Sequence, residues 1–116
     1  MVTLHPNILV VDDDRDIRDA VSAVLEGEGY EVRCAENGAQ ALAMMHGPKP
    51  EAIVLDLMMP VMSGWELLQI VHDDRELAAI PIVVLSAVRA PAGVPHLAKP
   101  VSLDELLRTL DRLCRH

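Results

Sequence analysis

Phenylalanine is absent from this chain of 116 residues, and the whole aromatic complement is one tryptophan and one tyrosine. A core must therefore be aliphatic, built from Val, Leu, Ile, Ala and Met. Residues of apolar type make up 51% of the sequence, enough for one domain with a real interior and too little chain for a second. Basic residues are also scarce: 10 Lys and Arg stand against 18 Asp and Glu, a formal net charge of −8. That balance argues against direct nucleic-acid binding, which relies on cations to neutralise phosphates. The two cysteines, Cys34 and Cys114, match no metal-binding spacing and give no disulfide framework, which suits a reducing cytosol. Apolar runs such as "ILVV" are far too short for a membrane span, and nothing resembles a signal peptide. Repeats, low-complexity tracts and internal linkers are missing too. One cytoplasmic domain over residues 1–116 is the expectation.

What is present is an alternation. The runs "NILVV" (7–11), "EAIVL" (51–55) and "IPIVVL" (80–85) are continuously apolar, as strands covered on both faces should be. "YEVRCA" (30–35) alternates and reads as an edge strand, and "HLA" (96–98) as a short fifth. Ile17, Ala20, Val21, Val24 and Leu25 follow helical spacing up to Gly27 and Gly29, and residues 38–46 form a second helix ended by Gly47 and Pro48. Ser63 to Glu66 and Ser102 to Glu105 are capping-box patterns that open two more helices. Such an order predicts an α/β fold: an open, doubly wound, five-stranded parallel sheet between helical layers. Its sites should lie beyond the carboxyl ends of the strands.

The polar residues fall at those ends. The first strand runs into Asp12-Asp13-Asp14, the third into Asp56, the fourth into Ser86 and the fifth into Lys99. Carboxylates gathered in one crevice repel unless a cation joins them, and hard oxygen ligands suit Mg2+. With a lysine and a hydroxyl added, the set can receive a phosphoryl group, and an aspartate can be the nucleophile. Asp14 reads as a turn or helix-capping acid. Met44, Met45, Met58, Met59 and Met62 read as gap-filling core, and Trp65 as packing.

The blocks "ILVVDDD", "IVLDLMMPVMSG", "VVLSA" and "HLAKP" resemble, in order, those of bacterial two-component response regulator receiver domains. The resemblance implies a flavodoxin-like sheet of order 2-1-3-4-5 and assigns roles residue by residue. Asp12 and Asp13 match the acidic pair, with Asp13 a direct Mg2+ ligand. Asp56 matches the phosphoacceptor and, with the backbone carbonyl of Met58, also contacts the metal. Ser86 matches the switch hydroxyl, and Lys99 the lysine that pairs with the phosphoryl group. Gly64 matches the glycine after the phosphoacceptor loop. His96 stands where the family usually has a Tyr or Phe that changes place on activation, and it reads equally as that switch or as a histidine with one exposed edge.

One departure stands out. Only residues 87–95, with prolines at 91 and 95, separate Ser86 from His96. A parallel crossover usually takes at least about 10–12 residues and a helix. Nine residues in a helix reach about 14 Å. Extended, they span roughly 30 Å, enough to retrace a strand of about 17–20 Å. The family's fourth helix is thus expected to be replaced by a short loop. In the family the face around that helix commonly carries the signal to partners or a second protomer, so a homodimer through the altered region is one expectation. An exchange of the last strand and helix between chains is another route.

The first functional reading is a single-domain receiver. It takes a phosphoryl group from a histidine kinase or phosphotransfer protein onto Asp56 and passes a conformational signal to a downstream protein. On this reading it is no enzyme beyond self-catalysed phosphorylation and dephosphorylation, and it meets neither nucleic acid nor membrane. A second reading is a degenerate receiver, an interaction module independent of phosphorylation. A third, a small aspartate-nucleophile phosphohydrolase, fits poorly. The Asp12 to Asp16 stretch lacks that class's Thr or Val, and the chain leaves no room for a cap.

Overall fold

The computed structural model describes residues 7–57, 59, 62–86, 96–98 and 102–114, with Ser86 and residues 96–98 described through the backbone. The elements follow in the order β1 (Asn7–Val11), α1 (Arg15–Gly27), β2 (Glu31–Ala35), α2 (Gly38–Met45), β3 (Ala52–Asp56), α3 (Gly64–Asp73), β4 (Ile82–Ser86), β5 (His96–Ala98) and α4 (Leu103–Cys114). The strands make one sheet of order β2-β1-β3-β4-β5, and every neighbouring pair is parallel. That is the order the receiver-domain resemblance implies. The strands expected at 51–55 and 80–85 lie slightly later, so Asp56 and Ser86 are themselves the last strand residues.

Strand periodicity divides the interior into two layers. Ile8, Val10, Ala52, Val54, Val83 and Leu85 point toward Val21 and Leu25 of α1 and Leu106 and Leu110 of α4. The intervening residues Leu9, Val11, Ile53 and Leu55 point the other way, toward Ala41 and Met45 of α2 and Leu67 and Val71 of α3. Both faces of β1 and β3 are therefore buried, and this is why their sequences do not alternate. At the edge β2 is largely accessible and does alternate. Met44, Met59 and Met62 pack at the margin of the second layer, as gap fillers do. Met58 lies outside the described residues.

The helix starts follow their caps. Asp14 accepts from the amides of Asp16 and Ile17, Asn37 from Gln40 and Ser63 from Glu66, each supplying an acceptor for a first-turn amide. Ser102 takes the amide of Glu105 in the same way. Past α1 the chain reverses at Gly29, whose φ of 91° is natural for glycine and strained for other residues.

The expected loop in place of a fourth helix falls on residues 87–95, outside the described residues. The strands on either side nonetheless explain why so little chain suffices. Val84 is paired with His96, and Ser86 with Ala98. From Ser86 the chain therefore has to come back by only two residues of strand, about 7 Å, and step sideways by about 4.8 Å. It does not retrace a full strand. The start of β5 level with Val84 makes the short connection feasible.

Leu67 is fully buried under the sheet, whereas Trp65, two residues earlier on α3, is 41% exposed. Trp65, read as packing rather than a ligand contact, thus packs with only part of its ring covered. The buried stripe of α3 runs through Gly64, Leu67 and Val71, and Trp65 lies off it. Leu67→Ala should cost about 2–5 kcal/mol in denaturant unfolding, and Trp65→Ala about 0.5 kcal/mol or less.

Candidate functional site

The site arises from strand register. Val11 of β1 faces Leu55 of β3, so the next residues, Asp12 and Asp56, stand abreast at the carboxyl edge. The Asp12 amide still donates to the Ala35 carbonyl at 3.2 Å, so the residue past β1 remains tied to β2. Its Oδ1 accepts from the Asp14 amide at 2.9 Å, which turns the chain toward α1. Asp14 is then spent as the helix cap, as expected.

Asp12 and Asp56 are only 2% and 4% exposed, while Asp13 is exposed. Ligand oxygens of the three carboxylates all lie within 4.8 Å of one another. Two ionised carboxylates at that separation repel by about 3 kcal/mol at an effective dielectric near 20. Such an arrangement favours a bound cation. Three hard oxygens brought this close are a donor set that Mg2+ accepts while it retains water or takes phosphate oxygens. These residues fit that ion.

The loop after Asp56 is held by two glycines. The Gly64 amide donates to the Leu57 carbonyl at 2.9 Å. A Cβ on Gly64 would collide with the Asp56 carbonyl oxygen and come within 2.6 Å of Leu57 Cα. The first turn of α3 is thus pressed against the peptide of the candidate phosphoacceptor. On the other side, the Gly38 amide at the start of α2 donates to the Met62 carbonyl at 3.1 Å, and a Cβ there would lie 2.8 Å from Met62 Cγ. A third contact reaches Asp12 itself: Arg18 Nη1 donates to its carbonyl at 2.8 Å.

Of the residues singled out by sequence, Asp12, Asp13 and Asp56 come together. Ser86 ends β4, one residue past the Asp56–Leu85 pair, so its backbone reaches the same edge. His96 opens β5 level with Val84, one residue below the level of Asp56. Lys99, and Met58 with its carbonyl, lie outside the described residues. Sequence reading missed Arg18 and the Gly38–Met62 contact. An Asn-Gly pair opening α2 and an arginine in the first turns of α1 were the only signals, and neither names a partner.

Gly64→Ala should destabilise the fold by about 1–3 kcal/mol, because backbone rather than a mobile side chain must give way. Denaturant unfolding without Mg2+ checks it.

Comparison with known proteins agrees with this geometry. Residues 8–111 match the response regulator receiver domain. Response regulator MprA of Mycobacterium avium is 39% identical over 120 aligned positions covering 93% of this chain and 50% of its own length. MprA of Mycobacterium tuberculosis is 39% identical with the same coverage. The chain thus spans about half the length of the curated relatives it matches. An alignment of 120 positions exceeds the 116 residues of the chain, so the relative carries residues with no counterpart here. Among solved structures, chemotaxis response regulator CheY4 of Vibrio cholerae superposes with a TM-score of 0.85 at 34% identity, covering 94% of this chain and 98% of that one. A response regulator receiver protein from Pseudomonas putida gives 0.85 at 29% identity, covering 96% and 99%.

Proposed function

Because the chain belongs to the response regulator receiver domains of two-component systems, we propose that it is a phosphoacceptor whose acceptor is Asp56. The observation that carries this reading is the convergence of the Asp12, Asp13 and Asp56 carboxylates within 4.8 Å at the carboxyl edge of the sheet. The donor is a phosphohistidine on a histidine kinase or phosphotransfer protein. An Asp56 carboxylate oxygen forms the new P–O bond as the donor's P–N bond breaks, and the released imidazole takes up a proton. The product is an acyl phosphate.

Asp12, Asp13 and Asp56, with the Met58 carbonyl, are the residues to hold Mg2+. When bound, the ion neutralises charge on the acids and on the phosphoryl oxygens. Gly64 and the α3 cap at Ser63 keep the Asp56 peptide in place, so the nucleophile needs little reorganisation. Lys99 pairs with the phosphoryl group, and the Ser86 hydroxyl turns toward it. Both roles rest on the resemblance of their blocks. The change is read by a downstream protein rather than released as a product, so the protein acts as a switch and not as an enzyme on a separate substrate. Among the described residues no helix is long and apolar enough to cross a membrane. The homodimer expected through the altered fourth-helix region depends on residues 87–95, outside those described.

Incubation with Mg2+ and acetyl phosphate should add one phosphoryl group to the intact mass. The increment should vanish in Asp56→Asn and in the presence of chelator. Absence of the increment in the unmodified protein, together with absence of Mg2+ binding, would favour the interaction module independent of phosphorylation.

A further inference from the structure

Asp12 is anchored to α1 through two different atoms. Its carboxylate Oδ1 accepts from the Asp14 amide at 2.9 Å, and its carbonyl accepts from Arg18 Nη1 at 2.8 Å. The Arg18 amide in turn donates to the Asp14 carbonyl at 3.0 Å. These three bonds close a ring from Asp12 through Asp14 to Arg18 and back. The residue follows the end of β1, where its amide still reaches β2. Asp12 is buried, so a donor to its carbonyl helps to hold the peptide. The guanidinium supplies one from the side of α1, half-buried against the turn.

We infer that Arg18 is a positioning residue: it clasps the Asp12 peptide so that the carboxylate of Asp12 faces the metal side of the crevice. The inference rests on the reading that Asp12, Asp13 and Asp56 hold Mg2+. Its functional sense is opposite to what charge alone predicts. A cation beside a Mg2+ site opposes metal binding by simple Coulomb repulsion, so removing it should tighten the site. A clasp that orients a ligand does the reverse, and loss of such outer contacts commonly weakens metal binding by 10–100-fold. The sign of the change therefore separates the two roles.

The experiment is calorimetric titration of Mg2+ into the full chain as wild type, Arg18→Gln and Arg18→Lys, with a thermal melt of each metal-free protein to establish folding. Arg18→Gln should bind Mg2+ about tenfold more weakly. Arg18→Lys, which keeps a donor on a flexible stem, should fall between. At saturating Mg2+, labelling of Arg18→Gln by acetyl phosphate should return to the wild-type yield, because the acceptor itself is untouched. Equal or tighter Mg2+ binding by a folded Arg18→Gln overturns the inference and leaves the phosphoacceptor reading standing. Failure of the wild type to bind Mg2+ overturns both. If Arg18→Gln does not fold, guanidinium NMR of the wild type decides. Arg18 side-chain resonances that shift and saturate with Mg2+ sustain the clasp, and resonances that stay put overturn it.

Discussion

Everything at the carboxyl edge depends on the parallel register of β1 with β3. Pairing Val11 with Leu55 leaves Asp12 and Asp56 side by side where the sheet opens, and a slip of one residue would turn one of them into the interior. The register is not set at the site. It is set by Leu9, Val11, Ile53 and Leu55 on one face and Ile8, Val10, Ala52 and Val54 on the other, all fully or almost fully buried. Hydrophobic burial of two strand faces thus offsets the repulsion of two buried acids. The acids sit at the rim of the sheet, where a ligand can reach them, and the core beneath is apolar.

The loops around that edge follow the same division. Glycines occur where another backbone must come close: Gly64 over the Asp56 peptide and Gly38 under the Met62 carbonyl. Capping side chains fix where each helix begins, so α1, α2 and α3 all start near the site with their geometry already decided. Rigid elements hold the acids, and short pinned loops hold the elements.

Much of this could be read without coordinates. Continuous apolar runs told central strands from the alternating edge strand, because covering both faces removes the need for polar positions. Asp12, Asp13 and Asp56 were legible because they end apolar strands, where isolated carboxylates are costly. Asp14, Asn37, Ser63 and Ser102 act within three residues of themselves, and their capping is local chemistry. The remainder depends on contacts between distant segments. Nothing near Gly38 in sequence announces Met62, and nothing near Arg18 announces the Asp12 carbonyl. How far Trp65 is covered depends on the helix face that meets the sheet, which passes through Leu67. The β4–β5 pairing misled: strand length was taken from a typical strand, while the overlap is three residue pairs and the chain comes back by only two residues.

The edges of the sheet bear on how the molecule behaves in a crowded solution. A sheet in open order has two edges, and each presents unpaired backbone groups to any other strand that drifts past. Here one edge is β5, with three described residues, His96–Ala98. The other is β2, which carries Glu31 and Arg33, with the Arg33 side chain drawn across to the Pro48 carbonyl at 2.8 Å. Charge at the β2 border discourages strand-by-strand association, and a net charge of −8 adds mutual repulsion between copies. Charge on β2 and on the chain as a whole therefore guards the sheet against pairing with other copies.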